Sequence, residues 1–134
     1  MLNKINVACI DDDDVYTFAV RKLIERSQIA DKTNFFHNGQ VAIDFLLENA
    51  RNIEQLPDLI LLDLNMPILD GWQFLDEFEK LKPDLAKEIT IYITSSTIDD
   101  EDLKRARSLK TIIDIIEKPI TVNLLQDIRT QMHK

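Results

Sequence analysis

The chain holds one cysteine, Cys9, two histidines, His37 and His133, and two glycines, Gly39 and Gly71, in 134 residues. A single cysteine excludes an intrachain disulfide. Its place inside an apolar run reads as a buried structural thiol, compatible with a reducing compartment. Two histidines and a strand-bound cysteine make no zinc set, so His37 and His133 read as ordinary surface or loop residues. Gly39 in HNGQ and Gly71 in LDGW read as turn or helix-opening positions, and neither makes a glycine-rich phosphate loop. Basic residues are scarce as well: 16 Lys and Arg against 24 Asp and Glu leave a formal charge of -8 and a pI near 4.7. Such a chain repels polyphosphate backbones, so no nucleic-acid partner is expected. No apolar stretch approaches membrane-spanning length, and the N-terminus MLNKINVACIDDDD turns acidic at once, unlike a signal peptide. A cytoplasmic protein without a membrane partner is expected.

What is present is a core. Hydrophobic residues make up 45 % of the chain and charged ones 30 %, the balance of a globular protein of one compact domain over residues 1–134. Five short apolar runs, INVACI (5–10), TNFFH (33–37), LILLD (59–63), ITIYIT (89–94) and IIDII (112–116), each precede a segment with helical spacing. Runs without strict alternation predict strands covered on both faces. Between them Val15, Phe18 and Ala19 are expected to share one helical face. Ala42, Phe45 and Leu46 form a second such face, Phe74, Phe78 and Leu81 a third, and Leu125, Ile128 and Met132 a fourth. The segment 99–109 has few apolar positions and is expected to be a less firmly packed helix. Strand and helix alternating five times predict an α/β fold with a five-stranded parallel sheet and helices on both faces.

In such a sheet, ligands bind at the carboxyl ends of the strands. Asp11 and Asp12 follow the first run, Asp63 ends the third, Thr94 ends the fourth and Lys118 lies just past the fifth. Each alone has an ordinary explanation. An acidic run before a helix is a cap with a solvated first turn, which is how Asp13 and Asp14 read. An aspartate ending a strand forms turns, and threonine favours strands. Together, three carboxylates converging on one crevice repel one another unless cations are supplied, and a divalent metal and Lys118 would supply them. Magnesium suits these oxygen ligands and completes its shell with waters and a phosphate oxygen.

The pattern resembles the receiver domain of two-component response regulators, most specifically in DLILLDLNMPILDGW, residues 58–72. The resemblance runs from about Lys4 to Met132. It implies a flavodoxin-like doubly wound sheet with strand order 2-1-3-4-5, an order the chemotaxis receiver itself exemplifies. It also implies that Asp63 accepts a phosphoryl group from a histidine kinase or histidine phosphotransfer protein. Asp11, Asp12, Asp63 and the backbone carbonyl of Asn65 would hold Mg2+, with Thr94 as the switch hydroxyl and Lys118 contacting the phosphoryl group. The family's account adds an aromatic three residues before the lysine, and here that position is Ile115, which has no ring to rotate inward. Repacking of the Thr94 loop and the following helix is the expected substitute. The resemblance also implies a cis peptide at Lys118–Pro119, a trans Pro67, and a turn at Asp70 and Gly71 opening the third helix, with Trp72 packing near its start.

The function expected is a stand-alone receiver, because only a residue or two follow the last expected helix; it is not an enzyme acting on other substrates. It would signal by protein contacts, in part through the fourth helix, last strand and last helix. Lys104, Arg105, Arg107 and Lys110 lie near the end of that fourth helix, where cations complement the helix dipole or meet a partner. A competing reading is a magnesium-dependent phosphohydrolase using an aspartyl phosphate. Such enzymes usually carry a second acid two residues after the nucleophile, where this chain has Asn65. A second competing reading is a phosphate-independent interaction module on the same fold, and a third is a fragment of a hybrid kinase.

Overall fold

A computed structural model describes residues 2–132, so His133 lies outside the described residues. The chain runs β1 (Ile5–Ile10), α1 (Asp14–Ser27), β2 (Ala30–Phe36), α2 (Gly39–Glu48), β3 (Leu59–Asp63), α3 (Gly71–Leu81), a 3-10 turn (Lys82–Asp84), β4 (Thr90–Ser95), α4 (Asp100–Ser108), β5 (Ile112–Glu117) and α5 (Val122–Gln131). All strand pairs are parallel and the order is β2-β1-β3-β4-β5. This is the α/β, doubly wound, flavodoxin-like arrangement expected.

Every residue of β3 is buried, as a central parallel strand covered on both faces requires. Alternate residues feed two cores. Ala8, Ile10, Ile60, Leu62, Ile91 and Ile93 join Ala42 and Leu46 of α2 and Phe74 and Phe78 of α3. Val7, Cys9, Leu59, Leu61 and Tyr92 join Val20 and Ile24 of α1 and Leu125 and Ile128 of α5. Cys9 is 2 % exposed, and burial, followed by the nearby Asp11 charge, pushes its thiol up to about 12. It is the inert structural thiol expected.

The first helix corrects one expectation. Val15 and Phe18 are 82 % and 63 % exposed, and Ala19 is exposed too. The buried stripe is Val20, Ile24 and Ser27, with Tyr16 and Leu23 packed against the same core. Two apolar arcs compete on this helix. The 15/18/19 arc runs into Lys22 and Arg26, whereas 16/20/23/24/27 continues to the helix end, and the longer stripe buries more area. The faces expected for α2, α3 and α5 are the ones packed inward.

Strand limits shift little. β2 begins at Ala30, three residues before the expected start, because Asp31 and Lys32 are exposed on an edge strand and carry no hydrophobic signal. β4 lies one residue later than expected, and β5 continues to Glu117. α4 buries only Ala106 fully. It is held at its ends instead: the Asp99 carboxylate caps its start, three acids occupy its first turn, and Arg105 and Arg107 its last.

Candidate functional site

Asp11, Asp63, Thr94 and Lys118 meet at the carboxyl edge of the sheet because three adjacent strands end there. Ile10 pairs with Leu62 and Asp63 with Thr94, which aligns the first residue after β1 with the last of β3 and the end of β4. Lys118 follows β5 and is tied back to β4 by its N–H, which donates to the Ser95 carbonyl at 2.8 Å. The Lys118–Pro119 peptide is cis.

The four opening aspartates divide by role. Asp13 caps α1, its carboxylate accepting from the N–H groups of Val15 and Tyr16 at 3.0 and 3.1 Å, and Asp14 is the first helical residue. Asp11 is 1 % exposed; its Oδ1 accepts from the Asp13 N–H at 2.9 Å, which turns Oδ2 toward the crevice. Asp12 is exposed yet offers an oxygen to the same place. Ligand atoms of Asp11, Asp12 and Asp63 all lie within 4.8 Å of one another.

Among the described residues, one cation reaches this group. Lys118 Nζ donates to Asp11 Oδ2 at 2.6 Å and to Asp63 Oδ1 at 3.3 Å. Burial works to lower the Lys118 pKa, but its bond to Asp11 and the charges of Asp11 and Asp63 outweigh this and raise it, so it stays an ammonium. Asp63 is 5 % exposed. Burial, then the Asp11 charge, pushes its carboxyl up to about 6, while Lys118 and the Asn65 N–H restrain the rise. The single ammonium leaves the three acids under-compensated. An oxygen-only donor set of this kind fits a hard divalent cation.

The loop after β3 supports Asp63. The Gly71 N–H donates to the Leu64 carbonyl at 2.9 Å, and a Cβ at Gly71 would fall 2.6 Å from the Asp63 carbonyl oxygen. A side chain there would displace the strand end, which is why glycine follows Asp70. Asp70 and Gln73 form a reciprocal capping box that starts α3. Before this cap, in the same loop, Ile68 sits at φ 68 and is 77 % exposed, an outlying conformation for a β-branched residue.

Thr94 is 2 % exposed. Ile115 is also buried and belongs to the core on the α2, α3 and α4 side of the sheet. Trp72 is half-buried against the same core, and the Arg105 guanidinium stacks on its ring at 4.5 Å, so one of the four basic residues near the end of α4 is already engaged. Asn65 is exposed. His37 is an exposed residue with Nδ1 3.4 Å from Asp14.

Sequence reasoning missed Tyr16. Its ring centroid lies 4.0 Å from Lys118 Nζ, and the side chain packs against the core that α1 and α5 share. The signal that could have found it is position: Tyr16 lies in the first turn of α1, the helix that opens directly after Asp11 and Asp12 at the strand end.

The strand order agrees with what is found among known proteins. A family model described as the response regulator receiver domain matches residues 7–129. This chain belongs to the response-regulator receiver family. The receiver is similar to a solved two-component response regulator from Cytophaga hutchinsonii, with 27 % identity and a TM-score of 0.86 over 96 % of this chain and 97 % of that one. Response regulator Rcp1 of Synechocystis is 26 % identical over 83 % of each chain. The receiver spans 64 % of the probable methanogenesis regulatory protein FilR2 of Methanothrix harundinacea, to which it is 24 % identical over 76 % of its own length. It spans 29 % of a protein-glutamate methylesterase of Geobacter sulfurreducens. As a family, receivers are signalling domains of two-component response regulators. Among the described residues no helix is long and apolar enough to cross a membrane.

Proposed function

We propose that this receiver accepts a phosphoryl group on Asp63 from a phosphohistidine on a histidine kinase or phosphotransfer protein. The observation that carries the reading is the Lys118 ammonium bridging Asp11 and Asp63 where three strands end. At neutral pH Asp63 is mostly ionised, since its carboxyl titrates at about 6. A carboxylate oxygen bonds phosphorus as the phosphorus–nitrogen bond of the donor breaks. The imidazole leaves with that electron pair and takes a proton from solvent, and a mixed anhydride remains on Asp63. Lys118 exchanges its bond to Asp63 Oδ1 for one to a phosphoryl oxygen, and the Thr94 hydroxyl donates to another. Asp11, Asp12, Asp63 and the Asn65 carbonyl would hold magnesium, which supplies the charge neutralisation that phosphoryl transfer requires.

Readout needs contacts made only in the phosphorylated state. Ile115 is packed in the core and offers no ring to rotate, so the change passes from Thr94 into the β4–α4 loop and α4, the helix with the fewest fully buried residues. The face of α4, β5 and α5 then meets the downstream protein. The match to response regulator Rcp1 over 83 % of each chain supports the response-regulator reading. Incubation with magnesium and a small phosphodonor should give an acid-stable, base-labile phosphoryl group on the wild type. Asp63→Asn should abolish it, and labelling that persists in that variant would sink the assignment.

A further inference from the structure

Tyr16 touches the cation that the phosphoryl reading assigns to Asp63's modified state. The Lys118 Nζ lies over its ring, 4.0 Å from the centroid. The ammonium has three N–H donors; two point at Asp11 and Asp63 at 2.6 and 3.3 Å. The aromatic face covers a further side that water would otherwise solvate. Tyr16 is itself fixed, since its N–H is held by the Asp13 cap at 3.1 Å and its side chain packs against the core that α1 and α5 share. A rigid aromatic beside a nearly dehydrated ammonium holds that charge in place and keeps water from it.

We propose that Tyr16 is a positioning residue that clamps Lys118 over Asp63 and screens the acyl phosphate from water, so that the aromatic ring at this position sets how fast the phosphoryl group is gained and lost. This rests on the phosphoacceptor reading of Asp63. In the loss step a water oxygen bonds phosphorus as the bond from phosphorus to the Asp63 oxygen breaks. The carboxylate leaves with the electron pair and the water gives up its proton to solvent. With the ring in place, Lys118 meets the phosphoryl group without searching, and the approach from the α1 side is closed.

The test compares Tyr16→Leu, which keeps apolar bulk and removes the aromatic face, with Tyr16→Phe, which keeps the face and removes the hydroxyl. Labelling by phosphoramidate with magnesium, and loss of label after donor removal, are timed separately. Tyr16→Leu should label roughly three- to tenfold more slowly and lose label faster by a similar factor, the scale of a partly desolvated cation–π contact. Tyr16→Phe should restore labelling to within about twofold of wild type, which a loss of packing alone would not separate from the hydroxyl. A readout without metal or donor accompanies these: in proton NMR the Lys118 ε-methylene should be shifted upfield by the ring in wild type and Tyr16→Phe. Wild-type rates in Tyr16→Leu, equal slowing in Tyr16→Phe, or an unshifted Lys118 methylene in the wild type would each overturn the proposal. Absence of any label on wild-type Asp63 would instead overturn the phosphoacceptor reading beneath it.

Discussion

Replacing Asp63 by asparagine should stabilise the metal-free fold, although it removes a carboxylate that Lys118 contacts. Burial and the Asp11 charge raise the Asp63 carboxyl from its ordinary 3.8 to about 6. Each tenfold change in proton affinity is about 1.4 kcal/mol, so the ionised carboxylate costs the fold roughly 3 kcal/mol at neutral pH. The sign follows from proton linkage. Because the folded-state pKa lies above the unfolded one, the folded protein binds the proton more tightly between about pH 4 and 6. Its stability therefore falls as pH rises through that window and is flat above it. Asp63→Asn lacks this loss, and Lys118 retains Asp11 at 2.6 Å as its partner. For a chain of this length, a gain of roughly 3 kcal/mol corresponds to a melting temperature about 10 °C higher. Urea unfolding in chelator should show the variant more stable at pH 7.5, with the difference shrinking toward pH 4. Magnesium should then narrow the gap at pH 7.5 by stabilising the wild type more. A variant less stable than wild type at pH 7.5 in chelator, or a pH-independent difference, would refute the charge-repulsion argument.

Other positions test other parts of the fold. Gly71→Ala should destabilise by about 2 kcal/mol or more, because its Cβ would meet the Asp63 carbonyl at 2.6 Å and the strand end must move; weaker magnesium affinity in the same variant, read by calorimetry, would show that Asp63 moved with it. Ile68→Asn should stabilise by about 1 kcal/mol in chemical denaturation, since asparagine tolerates the left-handed backbone that isoleucine resists. Phe18→Ser should change stability by no more than about 0.5 kcal/mol, whereas Ile24→Ala on the buried stripe should cost about 2 to 4 kcal/mol. Equal costs for that pair would contradict the assignment of the α1 face.

The fold was legible because its signals are local and repeated. LILLD is buried at every position, and an unbroken apolar run has few alternatives to a central parallel strand. The α1 face was misassigned because two apolar arcs fit the first two turns, and only contacts from β1 and α5, distant in sequence, decide between them. The start of β2 was hidden for a related reason: an edge strand with exposed Asp31 and Lys32 is held by backbone bonds that leave no hydrophobic trace. At the site, Asp11, Asp63, Thr94 and Lys118 could be placed because each ends or follows a strand, and topology brings strand ends together. Tyr16 could not be placed that way. It reaches the crevice from a helix, and its value lies in the side chain that its ring meets. Spacing brings a helical residue to the right side of the fold but does not name its neighbours.

The central claim, that Asp63 carries the phosphoryl group, is tested most directly by trapping it chemically. Borohydride reduces an acyl phosphate to an alcohol, converting the modified aspartate to homoserine, while free carboxylates survive. After treatment with magnesium and phosphoramidate followed by borohydride, peptide mass spectrometry should find homoserine at position 63 and at none of the other acidic positions. Reduction at Asp11 or Asp12 in its place, or an unmodified position 63 in a protein that has taken up label, would contradict the account.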